Sequence, residues 1–137
     1  MKKYLMALLV ALFIPTSVLA APEGPQPAPG WQTLYNDWIW LVNQGTDETK
    51  YVVYSGGGDL QINFSGVTAA NNFDVVVWEE DESGNPPEQI TRYTCSGSCS
   101  KTIDVRSFVD GSNGKAEIRV GTSYARWTEQ VLVQIND

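Results

Sequence analysis

Residues 73–80, FDVVVWEE, form an apolar run that ends abruptly in the acidic turn EEDESGNPPE. The run is rich in β-branched and aromatic residues and too short for an independent helix, which predicts a β-strand. Phe73, Val75 and Val77 would point to one face, and Val76 and Trp78 to the other. A strand with apolar residues on both faces is typical of a β-sandwich.

Further short strands are predicted on both sides of this one. Residues 50–55 and 59–65 predict a hairpin, because Gly57 and Gly58 between them allow the positive φ angles of a tight turn. Residues 89–95 and 99–106 predict a second hairpin, and residues 43–48, NQGTDE, a turn. With strands near 38–42, 116–120 and 129–135 and no helical periodicity, the sequence predicts an all-β fold. We expect an antiparallel β-sandwich of about eight strands, either jelly-roll or immunoglobulin-like.

The two ends of the sequence indicate export and a single domain. Lys2 and Lys3 precede an apolar run at residues 5–14, and a small-residue site follows, which predicts a signal peptide over residues 1–20 cleaved near Ala20. The protein would then be secreted or periplasmic, with no membrane span, because that run is too short to cross a bilayer. Residues 21–30, APEGPQPAPG, predict a Pro-rich linker, and residues 31–137 a single β-sandwich domain.

The chain is acidic, with a formal net charge of −7. Without Lys2 and Lys3, seven Lys and Arg remain against sixteen Asp and Glu, a net charge of −9. Nucleic acids and anionic lipids need clustered basic side chains, and the basic residues here are scattered. We therefore expect neither nucleic acid nor a membrane as partner, but an extracellular carbohydrate or protein.

The two cysteines, Cys95 and Cys99, predict a disulfide in an exported chain. The spacing does not fit C-x-x-C redox chemistry, and zinc would need two further ligands from a chain without His. A loop this short is worth about 2 kcal/mol by the chain-entropy relation, so the bridge is expected to be a local constraint.

Residues 51–78, YVVYSGGGDLQINFSGVTAANNFDVVVW, resemble the middle of the bacterial pre-peptidase C-terminal domains, small jelly-rolls that accompany secreted peptidases. In that family an Asp-Leu-Tyr-Val strand occupies the place of residues 74–77, DVVV, so the Leu-Tyr pair is replaced here by Val-Val. Residues 116–121, AEIRVG, and the final EQVLVQI look like the closing strands of the family. The resemblance implies a non-catalytic accessory or substrate-binding module and carries no specific binding residue across.

The residue types also narrow the chemistry. Without His, the chain lacks Ser-His-Asp and Cys-His catalysis and the usual zinc enzymes, and a sandwich of this size rarely encloses a cleft for a carboxylate pair. We therefore expect no enzyme and no required cofactor. A calcium ion could be bound by Asp81, Ser83 and Asn85, which lie at alternate positions of the acidic turn. The turn lacks the spacing of a known calcium loop, which favours a solvated loop, and residues 110–114 are interpreted as a plain turn.

Aromatic residues provide the remaining signal. Sugar-binding sandwiches stack pyranose rings on exposed Trp and Tyr, whereas Trp can equally fill a small core. We expect Trp40 and Trp78 in the core and leave Trp38 and Trp127 open between the two. The candidate ligand-binding residues are Trp31, Tyr35, Trp38, Tyr124, Arg126 and Trp127.

The composition therefore supports two functional hypotheses. The first is a secreted non-catalytic module that binds a surface polymer, carbohydrate or protein, through exposed aromatics. The alternative is a secreted inhibitor or effector that docks onto a partner protein through its acidic loop.

Overall fold

A computed structural model of the protein describes residues 30–80 and 85–137. The predicted signal peptide and all of the predicted linker except Gly30 lie outside these residues, as do the calcium candidates Asp81 and Ser83. The described part contains nine strands and one short 3₁₀ helix, Arg106–Phe108. The strands are β1 Thr33–Leu41, β2 Thr46–Glu48, β3 Val53–Ser55, β4 Asp59–Ser65, β5 Asn72–Glu79, β6 Glu88–Ser96, β7 Cys99–Asp104, β8 Ala116–Ser123 and β9 Glu129–Asn136.

The strands form two sheets that pack face to face. The four-stranded sheet has the order β1-β9-β4-β7, and the five-stranded sheet has the order β2-β8-β5-β6 with β3 also on β8. Every pairing between these strands is antiparallel. The prediction of an all-β antiparallel sandwich is therefore confirmed. The chain passes from one sheet to the other at every connection except β2 to β3 and β5 to β6, which gives the topology of a jelly-roll.

Strand β5 lies between β8 and β6 in the five-stranded sheet. Phe73, Val75 and Val77 point inward and are buried in the core, as the alternation predicts. Val76 and Trp78 point to the outer face, where Val76 is buried and Trp78 is half-buried. The outer face of this sheet is therefore partly shielded from solvent at β5.

Both predicted hairpins are wrong. Strand β3 pairs with β8 and β4 pairs with β7 and β9, so residues 56–58 carry the chain from one sheet to the other. Gly57 and Gly58 do have positive φ, of 94° and 108°, but they serve this crossing. Strands β6 and β7 likewise lie in different sheets.

The number of strands also differs from the prediction, because the predicted turn at residues 43–48 contains β2. This strand is three polar residues long, and its backbone pairs Thr46 with Ser123 and Glu48 with Gly121 at the sheet edge. Residues 46–48 show no alternation of apolar and polar side chains. The strand forms because its backbone pairs with β8, and the local sequence gives no sign of it.

The core is made of aliphatic and aromatic side chains from the inner faces of both sheets. Its largest fully buried members are Tyr35, Phe64 and Phe73, with Leu, Ile and Val filling the remainder. None of the five tryptophans belongs to the core cluster. The expectation of core positions for Trp40 and Trp78 is therefore wrong, since Trp40 is 49% exposed and Trp78 lies on an outer face.

The predicted disulfide between Cys95 and Cys99 is confirmed. Cys95 belongs to β6 and Cys99 to β7, so the bridge joins the two sheets at one corner of the sandwich. Ile103 and Val105 lie in the core, and Tyr93 packs against it.

Replacing both Cys95 and Cys99 by serine is expected to lower the free energy of unfolding by about 2 kcal/mol, because the bridge closes only a short loop. Guanidinium unfolding followed by circular dichroism measures the difference. A loss above about 4 kcal/mol, or a failure to fold, would show that the sheets depend on this bridge for their packing.

No helix in the described residues is long and apolar enough to cross a membrane.

Candidate functional site

A cavity of about 550 Å³ opens on the outer face of the five-stranded sheet. It spans the sheet, because neighbouring strands β2, β8, β5 and β6 all contribute to its lining. Its volume lies within the range of about 300–1,000 Å³ that is typical of ligand sites. The lining residues are Thr46, Asp47, Glu48, Val76, Trp78, Gln89, Arg92, Thr122, Ser123 and Tyr124. We call this cavity the groove.

Trp78 lies in the middle of the groove above the backbone of β8. A Cβ atom built on Gly121 would lie 2.6 Å from Cζ3 and 2.9 Å from Cη2 of the Trp78 indole. Gly121 therefore makes room for the ring, which only a residue without a side chain can do. Opposite Trp78, the register of β6 shifts so that Gln89 pairs with it. Such bulges re-aim side chains at functional sites.

Gly121→Ala is expected to lower the free energy of unfolding by about 1–3 kcal/mol through overpacking against Trp78. In a Trp78→Ala background the same substitution should be neutral or slightly stabilising, because alanine is less costly than glycine within a strand. A double-mutant cycle from denaturant unfolding measures the coupling. An equal effect of Gly121→Ala in both backgrounds would contradict this geometry.

Acidic side chains of β2 line one side of the groove in fixed orientations. Asp47 accepts hydrogen bonds from the backbone N–H of Trp40 at 2.7 Å and of Glu48 at 2.9 Å. Glu48 forms an ion pair with Arg119 at 2.9 Å, and Arg119 also pairs with Glu80 at 2.6 Å. These contacts hold two carboxylates at the rim, where they can accept hydrogen bonds from hydroxyl groups.

Arg92 and Tyr124 line the opposite side. Arg92 Nη2 donates to Ser123 Oγ at 3.3 Å and lies 3.3 Å from the Asp74 carboxylate. The Arg92 guanidinium carbon lies 5.9 Å from the centre of the Tyr124 ring, which is a cation–π distance. The Nε and Nη1 donors of Arg92 have no hydrogen-bond partner among the described residues, so they are available to a ligand.

The backbone of Tyr124 is held in an unfavourable conformation. Its φ is 54°, in the left-handed region that bulky residues avoid, and its side chain is 67% exposed. Its N–H donates to the carbonyl of Gly45 at 3.2 Å, which ties it to the turn before β2. An exposed aromatic residue kept in a strained backbone conformation is a pattern that accompanies binding sites.

Asn71 fixes the loop that follows Tyr124. Its side chain is fully buried, accepts hydrogen bonds from the N–H groups of Arg126 and Trp127, and donates to Trp127 O and to Glu129 Oε1. Burial raises the pKa of the Glu129 carboxyl, but hydrogen bonds from Asn71 and Thr68 outweigh burial and hold that pKa below its usual value. The residues that carry Tyr124 are therefore anchored to a buried polar centre.

A second cavity, of about 150 Å³, adjoins the groove. Glu48 and Trp78 line both cavities, and Glu80, Pro87 and Arg119 complete the smaller one. The side chains of Glu48 and Trp78 therefore adjoin two neighbouring hollows on the same face of the sheet.

The structure does not bring the six predicted ligand-binding residues together. Tyr124 alone lines the groove, and Tyr35 lies in the core, where burial raises the pKa of its hydroxyl. Trp38 is half-buried on the outer face of the other sheet, and Trp31 is half-buried before β1. Arg126 and Trp127 form a cation–π pair at 4.9 Å in the loop between β8 and β9.

The groove residues that sequence reasoning missed come from four separate segments. The sequence predicts a turn at residues 46–48 and a core position for Trp78, and it singles out no role for Arg92. The one available signal was parity, because Trp78 alternates with the inward Val75 and Val77 and therefore points outward.

Three carboxylates converge at one end of the five-stranded sheet. Oxygen atoms of Glu79, Asp110 and Glu117 lie within 4.8 Å of one another, and Glu79 and Glu117 are buried. Asn113 donates a hydrogen bond to Glu117. The set could supply part of the six to eight oxygen ligands that calcium takes. Of the predicted calcium candidates, Asn85 is the one described, and it is exposed; calcium binding stays a prediction.

Comparison with known proteins gives three similarities. A family model described as "YndA coiled coil domain" matches residues 36–135. "Uncharacterized protein YndA" of Bacillus subtilis (strain 168) is 32% identical over 123 residues, which cover 89% of this chain and 86% of that protein. The crystal structure of Yersinia pseudotuberculosis-derived mitogen (YPM) is similar with a TM-score of 0.48 and 14% identity, covering 79% of this chain and 86% of that one.

The matched range 36–135 contains strands and a short 3₁₀ helix, and none of its described residues lies in an α-helix. The segment that the family description calls a coiled coil is therefore a β-sandwich in this chain. The resemblance to pre-peptidase C-terminal domains is not tested by these similarities and stays a prediction.

Proposed function

The chain belongs to the YndA family, and we propose that it is an exported, non-catalytic module that binds neutral polysaccharide in the groove. The observation that supports this function best is the position of Trp78. Its indole is half-buried in the middle of an open cavity of about 550 Å³, between arginine and carboxylate side chains. A pyranose ring can stack on such an indole while its hydroxyls bond to Asp47, Gln89 and Arg92.

The distribution of tryptophan also supports a sugar ligand. The core of this domain is filled without any of its five tryptophans, although Trp is the largest apolar side chain available. Tryptophan at the surface of a small acidic protein carries a solubility disadvantage, which a binding role would offset. The protein-docking alternative relies on residues 79–87, and Asp81 to Gly84 of that loop lie outside the described residues.

The charges around the groove favour a neutral polymer over an acidic one. Asp47 and Glu48 line it, and Glu80 and Asp74 lie beside it. Among the described residues, Arg92 and Arg119 are the basic side chains that line the two cavities. The chain as a whole is also acidic. An anionic polymer would be repelled at long range, whereas hydroxyl groups can both donate to the carboxylates and accept from Arg92.

The direct experiment is retention of the protein beginning at Ala21 on insoluble polysaccharides. We expect retention on at least one neutral polymer among cellulose, chitin and xylan, and weaker retention on the acidic polymers pectate and alginate. Calcium and a chelator are compared in parallel. Failure to bind any neutral polymer, with the disulfide intact and the protein folded, would refute the proposed function.

Tyr124→Gly is expected to weaken polymer binding about 10-fold while leaving the fold as stable as before, or more stable by up to about 1 kcal/mol. The glycine adopts the positive φ without strain, but the exposed ring beside Arg92 is lost. Gln44→Gly is the matched control, because Gln44 has a φ of 51° and does not line the groove. Equal binding by both variants would show that Tyr124 does not belong to the binding site.

A further inference from the structure

The outer face of the four-stranded sheet carries no charge across most of its area. The register of β1, β9, β4 and β7 places only amides, hydroxyls, tryptophan and leucine at the outward positions between its two ends. Acids appear at one end, where Asp59 and Asp104 lie near Arg106. The uncharged positions are Asn36, Trp38, Trp40, Gln61, Asn63, Ser65, Ser100, Thr102, Gln130, Leu132, Gln134 and Asn136. We call this surface the amide face.

The absence of charge here contrasts with the rest of the chain, which has 9 Lys and Arg and 16 Asp and Glu. The outer face of the other sheet carries charged residues on each of β2, β5, β6 and β8. Charged side chains are the usual means of keeping an open sheet face soluble. A sheet face built instead from amides can form many hydrogen bonds with a hydroxyl-rich, uncharged ligand.

The amides are already arranged in a connected row. Ser100 Oγ donates to Asn63 Oδ1 at 2.6 Å, and Asn63 Nδ2 donates to Gln61 Oε1 at 3.1 Å. Asn136 Nδ2 also donates to Gln61, at 3.3 Å, and Thr33 Oγ1 donates to Asn136 at 3.0 Å. Side chains held in such a row lose little conformational entropy when a ligand binds.

Trp38 provides an aromatic surface beside this row. Its strand partner is Leu132, and its ring atoms Cζ3 and Cη2 lie 3.8 Å from the position of a Cβ atom on Gly66, which follows β4. The ring therefore extends from β1 across β9 towards the end of β4. It lies along the sheet, half-buried, with Leu132 beneath it.

Gln134 provides a second observation, independent of the lack of charge, that indicates a ligand on the amide face. It lies in the amide face between its strand partners Asn36 and Asn63 and is only 4% exposed. Its Oε1 atom is buried and has no hydrogen-bond partner among the described residues. A buried acceptor without a hydrogen-bond partner destabilises the fold. A donor such as a sugar hydroxyl above the row would satisfy it.

From these observations we infer that the amide face is a second binding surface for neutral polysaccharide, so that the protein is bivalent. The inference goes beyond the proposed function, because the amide face and the groove lie on opposite outer faces of the sandwich. One extended polymer chain cannot contact both faces at once. Two chains can be held by one molecule, which cross-links the polymer and raises the apparent affinity on an insoluble surface.

The test is cross-linking of soluble neutral polymers, namely hydroxyethylcellulose, galactomannan and arabinoxylan, followed by turbidity and sedimentation. Wild-type protein is expected to form sedimentable complexes that dissolve again when protein is in large excess. Trp38→Ala and Trp78→Ala should each still bind polymer in affinity gels, with each variant losing the cross-linking. The double variant should lose both binding and cross-linking.

Gln134→Leu separates ligand binding from folding. Leucine removes the unpaired carbonyl at similar volume, so the Tm is expected to rise, whereas polymer affinity of the Trp78→Ala protein should fall several-fold when Gln134→Leu is added. A structural role for the Gln134 amide predicts the opposite change in Tm. Gln32→Leu, the same substitution at an exposed glutamine that lies outside both the groove and the amide face, is the control and should change neither quantity.

Each other outcome overturns part of the account. If Trp78→Ala abolishes all binding and Trp38→Ala cross-links as well as wild type, the amide face is not a site and the groove stands. If Trp38→Ala abolishes binding and Trp78→Ala has no effect, the groove proposal fails. If wild type binds no neutral polymer, both fail. If wild type is a dimer without polymer and Trp38→Ala is a monomer, a second copy of the chain covers the amide face.

Discussion

Replacing Asn71 with alanine is expected to lower the free energy of unfolding by about 3–4 kcal/mol. The Asn71 amide is fully buried and makes four hydrogen bonds, at distances from 2.6 to 3.2 Å. Alanine would leave the N–H of Trp127 without its acceptor and Glu129 without the Asn71 donor at 2.6 Å, whereas the N–H of Arg126 would keep its bond to Asn72 O. Guanidinium unfolding by circular dichroism measures the difference.

Two further variants sharpen this prediction. Asn72→Ala is the matched control, because Asn72 is exposed, and it should change stability by less than about 0.5 kcal/mol. Asn71→Asp keeps the acceptor for the two N–H groups but places a carboxylate where Glu129 Oε1 now accepts at 2.6 Å. A loss below 1 kcal/mol for Asn71→Ala would contradict the role of Asn71 as the anchor of this loop.

The pH dependence of these proteins follows from Glu129. Because its folded pKa lies below the usual value of 4.5, its contribution to stability is present above that pH and is lost as pH falls through the lowered pKa. The Asn71→Asp variant should behave in the opposite way over the same range, since protonation relieves its repulsion with Glu129. The difference in stability between wild type and Asn71→Asp should therefore shrink below about pH 4.5.

Trp78→Ala is expected to weaken retention on insoluble neutral polysaccharide by about 30-fold or more, because the groove loses its central aromatic residue and the protein is held through the amide face alone. Its side chain lines both the groove and the smaller cavity that adjoins it. The fold should lose only about 1–2 kcal/mol, because the ring is half-buried outside the core. Binding is measured as the depletion of protein from solution by the insoluble polymer on which the wild-type protein is retained.

Tyr54→Ala is the control for this prediction. Tyr54 is an exposed aromatic residue of the same sheet, on β3, and it does not line either cavity. It should bind polymer as wild type does. A comparable loss of binding in both variants would indicate nonspecific adsorption through exposed aromatics, whereas wild-type binding by Trp78→Ala would exclude the groove.

Local patterns predicted the strands well where one face is apolar. The alternation of Leu60, Ile62 and Phe64 predicts residues 59–65, and β4 spans Asp59–Ser65. The disulfide and the sandwich class were also predictable, because both depend on residue type and short spacing. Strand β2 was not, because three polar residues at a sheet edge carry no burial pattern.

The choice of sheet for each strand could not be predicted from neighbouring residues. Glycines at 56–58 and 97 indicate reversals of the chain but do not distinguish a hairpin from a crossing between sheets. That choice depends on which inner faces pack together, and Val105, whose N–H donates to Gly58 O, illustrates the long-range contacts involved.

The groove was unpredictable for the same reason, since its residues come from four segments that only the sheet order β2-β8-β5-β6 brings together. The burial of tryptophan was mispredicted because Val, Ile and Leu from two sheets already fill the core. When the core is already filled, the size and apolarity of a tryptophan do not predict whether it is buried. Parity along β5 is a better guide than residue type.

The most direct test is an NMR titration of ¹⁵N-labelled protein with soluble neutral oligosaccharides of cellulose, chitin and xylan, followed through the five tryptophan indole N–H signals. With at least one of them, the Trp78 signal should shift and saturate, together with backbone amides of residues 46–48, 89–92 and 122–124. Signals of Tyr54 and residues 110–114 should stay unchanged. If the Trp78 signal shows no saturable shift with any of these sugars, the groove does not bind neutral polysaccharide.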